Sequence, residues 1–378
     1  MPRPSDASSE RLPELDSLRG IAALFVVFYH VALTPQLSDS MLHRVLNALP
    51  THPMFNGRLA VILFFVLSGM VLTRGLTRTP TLTAAGFFAF ACRRAVRLCL
   101  PAAAALALSA ALYMLLWDGP WAGSRLYGGW SNPPGLIDLT RQAMLIGADG
   151  DFTFDPALWS LVHELRLSLL LPLFVAIPAF RGPNGSLTLL CVALMAFGAA
   201  VSGQTAIEGT IQAGPTLLVS FRATTYFALP FLTGAAMSLG FWDRWRPGAE
   251  QRTCALAAAL LLLCSDSDVA AVIASVLLIL LSRHDGRYRD FLRLPALLWL
   301  GRISFSLYLA HMPVQLAVQH GLHRLLPPIW LEPLAIVLSL FAAWILHALA
   351  EEPAQRLSRR IGSRQRYPRD SRAATAEV

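Results

Sequence analysis

Ten apolar runs, several about twenty residues long, dominate this chain. A helix rises about 1.5 Å per residue, so roughly twenty apolar residues cross a hydrocarbon core of about 30 Å. Inside a bilayer every backbone N–H and C=O must find its partner within the protein, which leaves the α-helix as the solution for such a run. The expected fold is an all-α polytopic membrane protein with about ten transmembrane helices. They fall near 18–36, 59–76, 95–117, 158–178, 186–202, 217–241, 253–265, 269–282, 296–320 and 328–350. The seventh and eighth are short, and Asp266 and Asp268 leave room between them for only a tight turn. Charged residues make up 14% of the sequence, against about a quarter in a soluble domain; the deficit follows from the same runs.

Charge then orients the array. The net charge is +8 and all basic side chains are arginine. With the N-terminus inside, Arg74, Arg78, Arg93, Arg94, Arg97, Arg181, Arg244, Arg246, Arg252, Arg283, Arg287, Arg289, Arg293 and the C-terminal arginines fall on one side. Arg44, Arg58, Arg125, Arg141 and Arg324 are left for the other. The positive-inside rule therefore predicts an even number of spans with both termini cytosolic. Residues 1–16 read as a cytosolic tail, 17–352 as the transmembrane domain, and 353–378 as an Arg-rich cytosolic tail, expected to be disordered and near anionic lipid. The apolar stretch after Leu18 is long enough to span, rather than to serve as a short signal-peptide core. Arginines scattered between apolar segments do not form a nucleic-acid face, and none is expected as a partner. The five cysteines lack metal-ligand spacing and read as small packing residues.

A long outer loop, 118–156, holds Trp121, Tyr127, Trp130, Asp138, Asp149, Asp151 and Asp155, with a short interfacial helix expected over 136–146. Aromatics and carboxylates together suit a sugar-binding mouth; as interfacial anchors the same rings need no ligand.

Ionisable groups inside the spans are costly and point to function. Arg19 and His30 are eleven residues apart, so they share one face of the first helix, about 16 Å apart along its axis. Glu164 and His163 lie in the fourth helix; the carboxylate either accepts from an imidazole or a substrate hydroxyl, or is neutralised by Arg166 or by Arg222 of the sixth helix. Arg94 and Arg97, one turn apart with Arg93 beside them, could grip phosphates, although positive-inside residues look the same. A Ser-Gly pair such as Ser68–Gly69 is ordinarily a close helix contact.

At these residues a resemblance emerges. Leu15–Asp16–Ser17–Leu18–Arg19–Gly20 followed by His30 resembles the opening R-x10-H helix of the acyltransferase-3 family of integral membrane O-acyltransferases. Phe64–Phe65–Val66–Leu67–Ser68–Gly69 is similar to its second-helix signature, and Arg94 with Arg97 to its R-x-x-R. Trp159–Ser160–Leu161 with Glu164 is similar to W-S-L-x-x-E, the run Gly301–Arg302–Ile303 through Tyr308 to His311 to its ninth-helix signature, and Glu351 with Pro353 to its closing E-x-P. The aromatic pair often found after Glu164 is replaced by Leu167 and Ser168.

The resemblance implies an O-acyltransferase of a bacterial cytoplasmic membrane. It would move acetyl from cytosolic acetyl-CoA, a substrate rather than a bound cofactor, to a hydroxyl of a surface glycan or exopolysaccharide sugar, lipid-linked. On this reading His30 is the general base or acyl carrier, and Arg19 and Glu164 share the catalytic region. Arg93, Arg94 and Arg97 bind the donor, while Ser68, Trp159, Tyr308 and His311 position substrate. No metal is expected. Buried histidines, carboxylates and arginines also suit a proton-coupled secondary transporter, and a small acceptor such as a macrolide is the other alternative.

Overall fold

The computed structural model describes residues 12–34, 44–45, 48, 51–77, 83–119, 129–130, 133, 135–146, 152–177, 180, 184–201, 216–240 and 245–363. These residues form thirteen α-helices and no strand. In chain order they are α1 (Pro13–Ala32), α2 (Gly57–Thr77), α3 (Ala84–Leu116), α4 (Leu136–Ala143), α5 (Trp159–Ala176), α6 (Gly185–Val201) and α7 (Leu217–Ser238). Then follow α8 (Ala249–Leu263), α9 (Asp268–Ser282), α10 (Arg287–Leu292), α11 (Pro295–Leu322), α12 (Pro328–Leu346) and, after a π-turn at His347–Glu351, α13 (Glu352–Ser363).

Each of the ten apolar runs holds a helix among its described residues, and α4 sits where a short loop helix was expected. Five helical stretches have the length and composition to cross a membrane: Pro13–Ala32, Gly57–Thr77, Ala84–Leu116, Pro156–Ala176 and Ile329–Ile361. Helices α8 and α9 have 15 residues each and pair across the short turn at Cys264 and Ser265. The five cysteines are free thiols.

Three boundaries differ from expectation for physical reasons. Helix α1 starts at Pro13, inside the expected tail, because Pro suits a first helical turn and Glu14 receives Nε of both Arg289 and Arg293 at 2.7 Å. Helix α3 starts eleven residues before its apolar run; Thr83 caps it, its Oγ1 accepting from the Gly86 N–H at 3.0 Å. Residues 353–363, expected to be a disordered tail, are helix α13, held to α3 by the Ser358 hydroxyl donating to the Arg93 carbonyl at 3.3 Å. Residues 1–11 and 364–378 of the two expected tails lie outside the described residues.

Two glycine crossings set the bundle. A Cβ on Gly20 would lie 2.6 Å from the Gly301 nitrogen, and one on Gly301 would lie 2.4 Å from the Asp16 carbonyl oxygen. Helices α1 and α11 thus touch backbone to backbone, which places Arg19 and Arg302 side by side. Likewise a Cβ on Gly69 would lie 1.8 Å from the Phe231 oxygen, and one on Gly234 1.9 Å from that of Val66. This locks α2 against α7 and turns the preceding Ser68 toward α5. The opposite end is fastened by Arg58, whose Nη2 lies 2.6 Å from Asp268, with the Tyr226 hydroxyl donating to the same carboxylate.

Candidate active site

A cavity of about 510 Å³ opens between α1, α2, α3, α5, α11 and α13. Its wall carries six arginines, Arg19, Arg74, Arg94, Arg97, Arg302 and Arg359, against three carboxylates, Asp16, Glu164 and Glu351. A surplus of guanidinium charge in a partly enclosed space favours an anionic ligand. Of the expected site residues, Arg19, Ser68, Arg94, Arg97, Glu164 and Tyr308 line this cavity.

Glu164 is neutralised from an unexpected direction. Its Oε1 lies 2.5 Å from Arg94 Nη2 and accepts from the Ser68 hydroxyl at 2.5 Å, while Arg94 Nε donates to Ser168 Oγ at 3.1 Å. Arg166 and Arg222, the partners expected from sequence, are engaged elsewhere. Arg166 donates to Ser220 and Thr224 and stacks over Phe221, and Arg222 donates to the Ala200 carbonyl. The spacing of R-x-x-R thus hides a division of labour: Arg94 is tied to Glu164, and Arg97 is open to the cavity with no hydrogen bond or ion pair to another described residue.

The inner end of the cavity is closed by Tyr308, Ser160 and Phe64. The Tyr308 hydroxyl donates to the Ala157 carbonyl at 2.9 Å, and since it has one proton, Ser160 Oγ, 2.6 Å away, donates to it. Just behind stand the two histidines. His311 Nδ1 lies 2.7 Å from the Tyr308 carbonyl and His30 Nδ1 lies 2.8 Å from that of Val26. A carbonyl only accepts, so both rings carry their proton on Nδ1. His311 Nε2, 3.3 Å from His30 Nδ1, then accepts a share of the same N–H. The basic lone pair of His30 accordingly resides on Nε2. The Arg19–His30 stripe therefore runs from the cavity wall to a histidine pair one ring beyond its inner end.

Besides His30 and His311, the expected positioning residue Trp159 and the expected donor residue Arg93 lie outside the cavity wall. Trp159 packs against His163 and Phe227, and Arg93 contributes its carbonyl to Ser358. In the outer loop, Trp130 is 2% exposed, its indole donating to Ser109 at 3.0 Å and its ring against Tyr113 and His320. It is a packing anchor rather than an open platform for a sugar. Asp155, also buried, caps Ala157; Trp121, Tyr127, Asp149 and Asp151 lie outside the described residues.

Sequence reasoning gave Glu351 no site role, although the residue was part of a motif. The π-turn presents it to the cavity, where it accepts from Ser306 at 2.6 Å, His347 at 2.9 Å and Gln355 at 2.9 Å. Such turns frequently mark functional sites.

A family model described as an acyltransferase domain, acyltransferase-3, matches residues 12–348. Comparison with curated proteins and with solved structures returns no match.

Proposed function

The chain belongs to the acyltransferase-3 family, and from that premise we propose that it is a membrane O-acyltransferase moving acetyl from cytosolic acetyl-CoA to a hydroxyl of a surface or exopolysaccharide sugar, carried on a lipid. The proposal includes a ten-span topology in a bacterial cytoplasmic membrane, with both termini and the arginine-lined mouth facing the cytosol.

One observation carries this reading. The arginine-rich cavity ends against Tyr308, whose ring lies 5.8 Å from that of His311 and, through it, adjoins His30. An anionic donor entering from the mouth would direct its thioester toward a fixed base. In the proposed reaction, His30 Nε2 takes the proton of the acceptor hydroxyl as the oxygen attacks the thioester carbonyl. The C–S bond breaks, and the thiolate collects the proton from the imidazolium, leaving an ester and coenzyme A. His311 Nε2 and the Val26 carbonyl both face the His30 Nδ1–H and would stabilise the transient charge. Glu164, held by Arg94 and Ser68, is a positioning group on the donor side.

Purified full-length protein in nanodiscs, given radiolabelled acetyl-CoA and a membrane glycolipid fraction, should release free thiol and esterify the lipid. A positioned general base is worth about 10²–10⁴-fold, so His30→Ala should lower thiol release at least a hundredfold. Full turnover in that variant would refute the mechanism. Trapping of a labelled protein adduct at His30 would replace direct transfer with the acyl-carrier route.

A further inference from the structure

The helix that the sequence hides in a polar tail forms part of the cavity wall. Glu351, Gln355 and Arg359 are four residues apart in turn, so they make one stripe, and all three line the cavity. Glu351 is pinned at the inner end by Ser306 and His347. Arg359, eight residues further on, stands about 12 Å nearer the mouth. The helix is not free to swing: Ala354 is buried, and Ser358 donates to the Arg93 carbonyl. On α11, Arg302 lies one turn mouthward of Ser306, about 6 Å, at the level of Arg19, because α1 and α11 touch at Gly20 and Gly301. Arg302 and Arg359 make no hydrogen bond or ion pair with other described residues, whereas neighbouring Arg356 pairs with Glu352 at 2.7 Å. Residues 352–363 also fall outside the segment matched by the family model.

We infer that α13 is a wall of the donor site, and that Arg359 holds the phosphate on the ribose of the donor nucleotide. This rests on the donor reading above. Coenzyme A carries a diphosphate and, at the end remote from its thiol, a ribose 3′-phosphate. With the thioester at the histidine end, the diphosphate meets the inner group Arg19, Arg97 and Arg302, and the 3′-phosphate lies at the mouth by Arg359. Arg94 contributes little net charge there because Glu164 neutralises it. Guanidinium forks suit phosphate oxygens at both levels.

Calorimetric titration of the full chain in phosphatidylcholine nanodiscs, with coenzyme A and with 3′-dephospho-coenzyme A, tests the placement without needing the acceptor. Arg359→Ala should weaken coenzyme A binding by about tenfold or more, the size of one lost charge-assisted hydrogen bond. It should leave 3′-dephospho-coenzyme A affinity unchanged, which also shows that the variant folds. Arg356→Ala should alter neither ligand. Equal weakening of both ligands, or no change with wild-type binding intact, overturns the placement alone. Absence of coenzyme A binding by the wild type overturns the donor reading and this placement with it. A loss seen only when phosphatidylglycerol is added assigns Arg359 to lipid headgroups and likewise overturns it.

Discussion

Arg94 and Glu164 place opposite charges in a part of the molecule where neither is readily hydrated; their side chains are 8% and 16% exposed. Removing one member of such a pair leaves the other uncompensated, at a cost of about 3–5 kcal/mol, while replacing both with apolar groups of similar volume is often neutral. Arg94→Ala should therefore lower the thermal midpoint in detergent sharply, and the double variant Arg94→Leu/Glu164→Leu should recover most of the loss. If Arg94→Ala instead left stability unchanged and weakened only coenzyme A binding, Arg94 would be a donor ligand rather than the partner of Glu164. His30 illustrates the same scale differently. Its proposed role depends on which nitrogen holds the proton, and the Val26 carbonyl four residues earlier on α1 decides that.

At the scale of elements, glycines govern how closely helices approach. Gly69→Ala would drive a methyl into the Phe231 carbonyl, and α2 and α7 would have to part. Overpacking of this kind costs about 1–3 kcal/mol, and Ser68 would shift with it, so both stability and acyl transfer should fall. Gly198 on α6 has nothing within 4 Å of an added Cβ. There Gly198→Ala should stabilise by up to about 1 kcal/mol through helix propensity. Thermal unfolding of the two variants should move in opposite directions; a shift of the same sign would contradict the crossing. The helices themselves were legible in the sequence because an apolar run in lipid leaves the backbone one choice. Residues 353–363 were not, since a polar helix shows no such run and depends on contacts such as that of Ser358; residues 84–92 are apolar, but Arg93 and Arg94 separate them from the longer run that begins at Ala95, and the Thr83 cap sets the true start. The cavity residues were mostly legible as motif positions. The partner of Glu164, the burial of Trp130 and the stripe through Arg359 were not, because each depends on which helices meet rather than on spacing along one of them.

For the whole molecule, the bundle has two unlike ends. One holds the arginine-lined mouth with α13. The other holds Arg58, Asp268 and the α8–α9 turn, where Asp266 accepts from Asn56 at 3.1 Å. Under the proposed topology, reporter fusions after Ser363 and at the α8–α9 turn should report opposite sides of the membrane, cytosol and exterior respectively. Fusions reporting one common side would reverse the assignment of the mouth. The π-turn at His347–Glu351 carries a last consequence, for divergence within a lineage. An α-helix advances about 100° per residue, so the wider turn resets the angular phase between α12 and α13. On the proposed reading, the lipid-facing half of this continuous rod and its ligand-facing half are thereby uncoupled: α12 can drift to suit a different membrane while Glu351, Gln355 and Arg359 keep their bearing. A single-residue deletion within residues 347–350 would keep every side chain of the stripe and rotate all of them away from the cavity. Alignment gaps there would matter more than substitutions.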